Sequence, residues 1–313
     1  MKKNKYNAII RKAIDLKVLC LGHISYDIIF PLKGFIEENK KIRIKEKIEC
    51  GGGPASNAAY LLGKWGIETY IAGVVGNDLY GNEIKNEFEI SNVNTKYLEI
   101  RNDFETDNSI IINNQLNGSR TILTYIKEKE KMQELHLDFE PDIILIDGHE
   151  FEESKRIITK YPKAIVVLDA GRASKEVVEL AQMVNYVVAS KDFAEEVTGI
   201  KINYDDQETL KQLYSRLESM FSGMIVITLE DKGCIYKYNG ELGIMDALEV
   251  EALDTTGAGD IFHGAFVYGL TKGYNINVVL TIATIAGSLS VTKVSGRAVP
   301  SKEEMRRYIH DFE

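Results

Sequence analysis

Two stretches of this chain carry residues whose types and spacing suit a reaction. The first is Asp254-Thr255-Thr256-Gly257-Ala258-Gly259-Asp260, followed at once by the apolar Ile261-Phe262-His263-Gly264-Ala265-Phe266. Gly257 and Gly259 around an alanine read as a loop opening a helix, whose free N–H groups attract phosphate or an oxyanion. As a bystander, Asp260 would repel that anion. As a general base it belongs there, taking a proton from a hydroxyl that attacks the phosphate. A helix cap alone needs one small acceptor, not two acids around a Gly-Ala-Gly turn. The expected chemistry is phosphoryl transfer.

The second stretch is Cys50-Gly51-Gly52-Gly53-Pro54-Ala55-Ser56-Asn57, with a helix expected over residues 58–64. Its glycines let a ligand approach the backbone, and Asn57 in the first helical turn can hydrogen-bond a hydroxyl. Upstream, Lys17-Val18-Leu19-Cys20-Leu21-Gly22 reads as a buried strand, with His23, Ser25, Tyr26 and Asp27 just past its end. Open α/β sheets bind ligands at that edge. Asp27 reads equally as a ligand for hydroxyls or as a turn residue. His23 and His149 read as satisfied structural histidines.

The elements that must position these loops alternate. Apolar runs at residues 71–76, 142–148, 164–169, 186–189 and 224–229 read as strands. Helical patterns cover 174–182, 207–220 and 278–292. The class is α/β: a doubly wound, mostly parallel sheet with helices on both faces, as a single domain over residues 1–313. Lys41-Ile42-Arg43-Ile44-Lys45 and Lys47-Ile48-Glu49 instead alternate strictly, as half-exposed strands do. Residues 109–112 and 121–125 flank a turn-rich segment whose Asn117-Gly118 signals a hairpin. These pieces predict a small β-sheet inserted from about 35–50 and 101–127, a lid over the site and a face for a homodimer. Residues 1–15 read as a short polar helix or frayed extension.

Composition narrows the class further. The chain is 44% hydrophobic and 27% charged, which is ordinary for a globular protein. A formal net charge of −9 sets aside nucleic acid and anionic membrane surfaces as partners. Cys20, Cys50 and Cys234 are scattered without metal-ligand spacing and read as reduced, buried thiols. No run reaches the ~18 apolar residues of a membrane span. After Met1-Lys2-Lys3-Asn4-Lys5, Arg11, Lys12 and Asp15 interrupt any signal-peptide core, so a cytoplasmic protein is expected.

The stretch from Asp254 to Asp260, with Phe262-His263-Gly264-Ala265, resembles the C-terminal motif of the ribokinase-like (PfkB) carbohydrate kinases. The loop from Gly51 to Asn57, with Gly63 and Gly73, resembles that family's N-terminal motif. They stand in the family's order, about 200 residues apart, and the resemblance spans about residues 16–310. It implies the ribokinase-like fold and transfer of the ATP γ-phosphoryl group to a sugar hydroxymethyl group, with Mg²⁺ bridging the phosphates. Carried over by position, Asp260 is the catalytic base, and Gly257, Ala258 and Gly259 form an anion hole. Asp27, Gly52, Gly53 and Asn57 match sugar-contacting positions. Ser190, Thr228, Gly233, Ala286 and Ser290, with Gly257 and Gly259, fall on the nucleotide side. Asp254 and Thr256 match positions whose carbonyls hold a monovalent cation in some members, which makes K⁺ a candidate.

The chain also departs from the pattern. Where the family often has Asn-x-x-Glu to order Mg²⁺, it reads Ser190-Lys191-Asp192-Phe193, leaving Asp192 and Glu195 as candidate metal-orienting acids. A similar Ser-Lys-Asp occurs in ketohexokinase-like members, and with Gly296-Arg297-Ala298 it tilts the reading toward ketose-like substrates. Glu230 replaces an expected glycine and should turn away from triphosphate. Arg120, on the hairpin, is a candidate for meeting an anionic substituent. A nucleoside kinase on the same fold, with an aromatic clamp begun by Tyr26 and Phe30, is the nearest alternative. A catalytically silent sugar or nucleotide sensor is another, against which Asp260 argues. No Gly-x-Gly-x-x-Gly follows the first strand, which sets aside a Rossmann dehydrogenase.

Overall fold

A computed structural model describes residues 16–34, 36–128, 130–204, 206–310 and 312. The expectation for residues 1–15 lies outside them. From the N-terminus run strands β1 (Val18–Leu21), β2 (Ser25–Leu32) and β3 (Ile48–Gly52), helix α1 (Pro54–Lys64), β4 (Thr69–Gly76), α2 (Leu79–Ile90) and β5 (Val93–Arg101). The hairpin β6 (Asn108–Asn114) and β7 (Ser119–Tyr125) follows. Strands and helices then alternate: β8 (Ile143–Ile146), α3 (Phe151–Lys160), β9 (Ile165–Ala170), α4 (Lys175–Ala181), β10 (Tyr186–Ser190), α5 (Lys191–Thr198), α6 (Gln207–Met220) and β11 (Met224–Thr228). A second hairpin, β12 (Cys234–Tyr238) and β13 (Glu241–Met245), precedes α7 (Ala258–Thr271), α8 (Ile276–Ser290) and α9 (Lys302–Arg306).

The large sheet has the order β13-β12-β11-β10-β9-β8-β1-β4-β5. From β11 to β5 every neighbouring pair is parallel. β12 and β13 extend the edge antiparallel, an addition that the strand–helix pattern did not foretell. Parallel strands covered on both faces must be apolar on both, and here alternate residues serve two cores. Val18, Cys20, Ile143, Leu145, Val167, Val188 and Val226 pack in the core with α1, α7 and α8. Their neighbours Leu19, Leu21, Ile144, Ile146, Val166, Leu168 and Ile225 pack in the core with α3 to α6. The doubly wound, mostly parallel α/β sheet expected from the sequence is present, with a separate small sheet.

That small sheet has the order β3-β2-β6-β7 and differs from expectation in two respects. Its central strand is β2, read from sequence only as polar residues trailing β1; β2 pairs antiparallel with β3 and parallel with β6. Residues 41–47, whose alternation promised a strand, are exposed and belong to no ladder. The β2–β3 ladder stops at the pair Ile29–Ile48, and just beyond it β2 presents Pro31, which has no N–H to donate. The β6–β7 hairpin forms as expected, with Gly118 left-handed at φ +69°.

Both glycine loops sit at helix N-termini, and the two helices meet closely. A Cβ on Gly264 of α7 would lie 3.0 Å from the carbonyl oxygen of Ala58 on α1. A side chain there would wedge the helices, and with them the loops, apart. Gly264→Val is expected to destabilise the protein by about 1–3 kcal/mol, as overpacking does. A urea midpoint equal to that of the unaltered chain would contradict the close packing.

Candidate active site

Gly257 is the N-cap of α7, left-handed at φ +73°, and a Cβ on it would strike the Gly296 carbonyl oxygen at 2.5 Å. It offers no side-chain cap, so the first turn stands open to an anion, although the Ala258 N–H also reaches the Thr255 carbonyl oxygen at a long 3.5 Å. A Cβ on Gly259 would meet nothing within 4 Å. The α1 loop also starts on a glycine, although there the Ala55 N–H is taken by the Asp147 carboxylate at 3.2 Å. Gly53 is its N-cap at φ +96°, again without a side-chain cap, and Pro54 follows in the first turn, where a missing N–H is tolerated. β2 lies directly over this loop, so that a Cβ on Gly52 would be 2.2 Å from the Asp27 carboxylate.

The two loops join through one hydrogen bond. Asn57 Nδ2 donates to Asp260 Oδ2 at 2.7 Å, while Asn57 Oδ1 is buried without a partner. A Cβ built on Gly296 would touch Asp27, Asn57 and Thr256 together, at 3.4, 3.5 and 3.6 Å. Asp27, Gly52, Gly53, Asn57, Thr256, Gly257 and Asp260 thus lie together around one pocket. Burial pushes the Asp27 carboxyl up to about 7, helped by the Asp260 charge, although Arg297 opposes it. Burial also raises Asp260, against the Asn57 hydrogen bond and the His263 charge. Asp254 is raised by burial; its Oδ1 accepts the Thr256 N–H at 2.9 Å, and its Oδ2 and the Thr256 hydroxyl are buried without partners. Both are hard oxygen donors, the type a monovalent cation takes.

The residues expected on the nucleotide side are spread along the sheet edge and α8. Ser190 and Thr228 are register partners at the ends of β10 and β11. Ser190 Oγ also caps α5, accepting from Phe193 N at 3.0 Å and donating to Gly171 O at 2.7 Å. Thr228 Oγ1 donates to Ala189 O at 3.3 Å. Gly233 is required by its turn, since it has φ +89° and a Cβ would lie 1.8 Å from Met245 O. Ala286 and Ser290 are buried on α8, which meets the first turn of α7 at Gly287. Glu230 is exposed, consistent with its turning outward.

Other candidates have structural engagements instead. Glu195 is buried and accepts from Ile202 N at 2.9 Å and Lys201 Nζ at 2.5 Å, while Asp192 pairs with Arg172 at 3.0 Å. Glu195 is thereby tied into the α5 turn, whereas Asp192 is exposed and paired only at the surface; among the described residues no cluster of three or more His, Cys, Asp or Glu could hold a metal. Tyr26 is buried and stacked on Tyr80 at 4.5 Å, so it offers no open clamp. His23 bonds Asp107 at 3.1 Å, His149 bonds Asp147 at 3.2 Å, and their rings stack at 4.7 Å. Cys20, Cys50 and Cys234 are buried and free.

Three supports were not legible in the sequence. The Asp147 carboxylate accepts from His23 N at 2.8 Å and Ala55 N at 3.2 Å, pinning the start of α1 to the end of β8. Arg297 lies buried between the rings of Tyr60 and Phe88, at 4.7 and 4.8 Å, donates to Ser56 Oγ at 2.7 Å and pairs with Glu87. Glu87 in turn accepts the Gly51 N–H at 3.0 Å, so Gly296-Arg297-Ala298 braces the glycine loop from behind. Arg120 reaches from β7 to Thr255 Oγ1 at 2.5 Å, linking the small sheet to the α7 loop. Each joins residues far apart in the chain, and no local pattern marks it.

The model of the pfkB family carbohydrate kinases matches residues 15–303. The chain belongs to that family. This kinase is 25% identical over 312 residues to the ribokinase of Lactococcus lactis, covering 95% of this chain and 98% of the relative. It is 24% identical over 282 residues to a nucleoside kinase of Methanocaldococcus jannaschii, covering 88% and 90%. Its fold matches that of Arabidopsis thaliana ribokinase, solved with ribose and ATP, at a TM-score of 0.75 and 20% identity, covering 93% and 97%. The kinase is therefore an ATP-dependent phosphotransferase of the sugar and nucleoside kinase type. No helix among the described residues is long and apolar enough to cross a membrane.

The raised Asp27 carboxyl has a consequence for stability. Unfolded, an aspartate titrates near 3.9; with the folded value near 7, the folded chain keeps a proton that the unfolded chain has lost between those limits. Its stabilising contribution is complete below about pH 4 and is lost as the pH rises through about 7. In the ligand-free kinase, Asp27→Asn is expected to stabilise by about 1–3 kcal/mol at pH 8 and to change little at pH 4.5. Thermal unfolding at both pH values checks this, and an equal shift at the two would refute it.

Proposed function

We propose that the kinase transfers the γ-phosphoryl group of MgATP to a hydroxymethyl oxygen of a sugar, with Asp260 as general base. The observation that carries this reading is the Asn57–Asp260 hydrogen bond, which joins a glycine-lined pocket to an uncapped helix N-terminus. The acceptor hydroxyl sits between Asp260 and the γ-phosphate. Asp260 takes its proton as the oxygen attacks phosphorus, and the bond to the ADP leaving oxygen breaks. The N–H groups of Gly257, Ala258 and Gly259 take up charge on the transferring phosphoryl oxygens. Asp27 and Asn57 hold sugar hydroxyls, while Gly52 and Gly53 let the ring approach the backbone. Hydroxyl donors reaching Asp27 favour its ionised form and offset its burial.

Ser190, Thr228, Gly233, Ala286 and Ser290 border the nucleotide. Mg²⁺ would arrive with ATP on its phosphates, with Asp192 as the exposed acid left to orient it. Asp254 and Thr256 are the residues to hold K⁺, which would offset buried negative charge beside the anion hole. The burial of Tyr26 against Tyr80 favours a sugar over a nucleoside, because the clamp residue is already occupied. The small sheet closes over the site and excludes water. Its edge strand β7 exposes Ile122, Leu123 and Tyr125 at 44, 59 and 48%, which supports a homodimer through that sheet.

Asp260→Asn should lower kcat by about 10²–10⁴-fold with ATP binding nearly intact. Near-normal turnover would remove Asp260 from the role of base. ADP release across a panel of pentoses, ketoses and nucleosides identifies the acceptor, and release only with nucleosides would sink the sugar reading. Sedimentation should give a dimer that Leu123→Lys dissociates; a monomer at high protein concentration would exclude the proposed interface.

A further inference from the structure

His263 lies one turn into α7 from Asp260 and is almost fully buried. Both of its ring nitrogens face acceptors. Nδ1 is 2.6 Å from the Gly259 carbonyl oxygen and 3.3 Å from Asp169 Oδ2, while Nε2 is 3.1 Å from the Val188 carbonyl oxygen. A backbone carbonyl can only accept. A neutral imidazole has one N–H, so one nitrogen would press its lone pair against a carbonyl oxygen with no water to intervene. Only the imidazolium satisfies both sides, and the Asp169 carboxylate is its counter-charge. A neutral pair, with the proton on Asp169, leaves the Val188 or Gly259 carbonyl opposed.

We infer that His263 is a positioning residue: an imidazolium bridging β9, β10 and the first turn of α7, which orients the Gly259–Asp260 peptide and holds Asp260 ionised. This rests on the assignment of Asp260 as base. Asp169 comes from the end of β9, Asp147 from beyond β8 with His149 beside it, Asp260 from α7 itself, and Arg120 from the small sheet. Asp260 and Asp147 press negative charge on the site, so the His263 charge is the near counterweight on the buried side. Burial drives both Asp169 and Asp260 up, and His263 opposes it in each.

The first test uses the ligand-free, unaltered full chain, ¹⁵N-labelled in histidine, with the His263 signals assigned by their loss in His263→Asn. Ring-nitrogen NMR at pH 7.5, where an ordinary histidine is neutral, is expected to show His263 protonated at both nitrogens. A neutral tautomer overturns the proposal, and this result does not depend on what Asp260 does. The second test is the pH dependence of kcat/KM in His263→Asn. Loss of a nearby positive charge raises a carboxyl, so the acid limb should move up by about one pH unit, with KM for ATP little changed. An unmoved limb overturns the charge role even if turnover falls, because a purely structural residue would lower kcat without moving it. Full activity of Asp260→Asn would remove the base assignment alone, leaving the ring measurement to decide the state of His263.

Discussion

The close approach of α1 and α7 is the constraint on which the site depends. Each helix opens with a glycine N-cap that has no side chain to satisfy its first N–H groups. At α1 the Asp147 carboxylate from beyond β8 takes the Ala55 N–H instead, whereas α7 keeps a start that an anion could complete. Gly264 against Ala58 lets the helix axes come near enough for Asn57 and Asp260 to share a hydrogen bond. A larger residue at that contact would separate the two loops, whatever the loops themselves contained.

The electrostatics run against stability. Asp27, Asp254, Asp260 and Asp169 are all raised, chiefly by burial, and Asp27 and Asp260 repel each other across the pocket. Such crowding is expected where charge serves a reaction rather than the fold. The opposing charges are few and placed at the margins: His263 below α7, Arg120 from the small sheet, Arg297 behind the glycine loop. Arg297 illustrates the division. Its guanidinium is sandwiched by Tyr60 and Phe88 and spent on Glu87 and Ser56, so it stabilises the loop without entering the pocket.

The small sheet shows where local pattern and global arrangement part. The β6–β7 hairpin follows from Asn117-Gly118, a signal complete within the turn itself. The alternation at residues 41–45 is equally regular and yields no strand, because a strand also needs a neighbour with free backbone groups, and β2 beyond Ile29 offers Pro31. β2 itself is a strand because β3 and β6 flank it, which no reading of Ser25-Tyr26-Asp27 in isolation reveals.

The sequence by itself determined the class of fold and the chemistry. Apolar runs of strand length alternating with helical periodicity admit little but a covered parallel sheet, and glycines beside acids at helix starts carry the motifs on which the proposed phosphate loop and base rest. These are local properties, carried by residues adjacent in the chain. Only the tertiary structure decided what surrounds them. The bond between Asn57 and Asp260, the pinning of α1 by Asp147, the Arg297 brace and the enclosure of His263 join residues from separate segments. Their energies exist only once the sheet has set the distances between those segments. The occupation of Glu195 by Lys201 and of Tyr26 by Tyr80 is of the same kind: residue type allowed a functional role, and packing assigned a structural one.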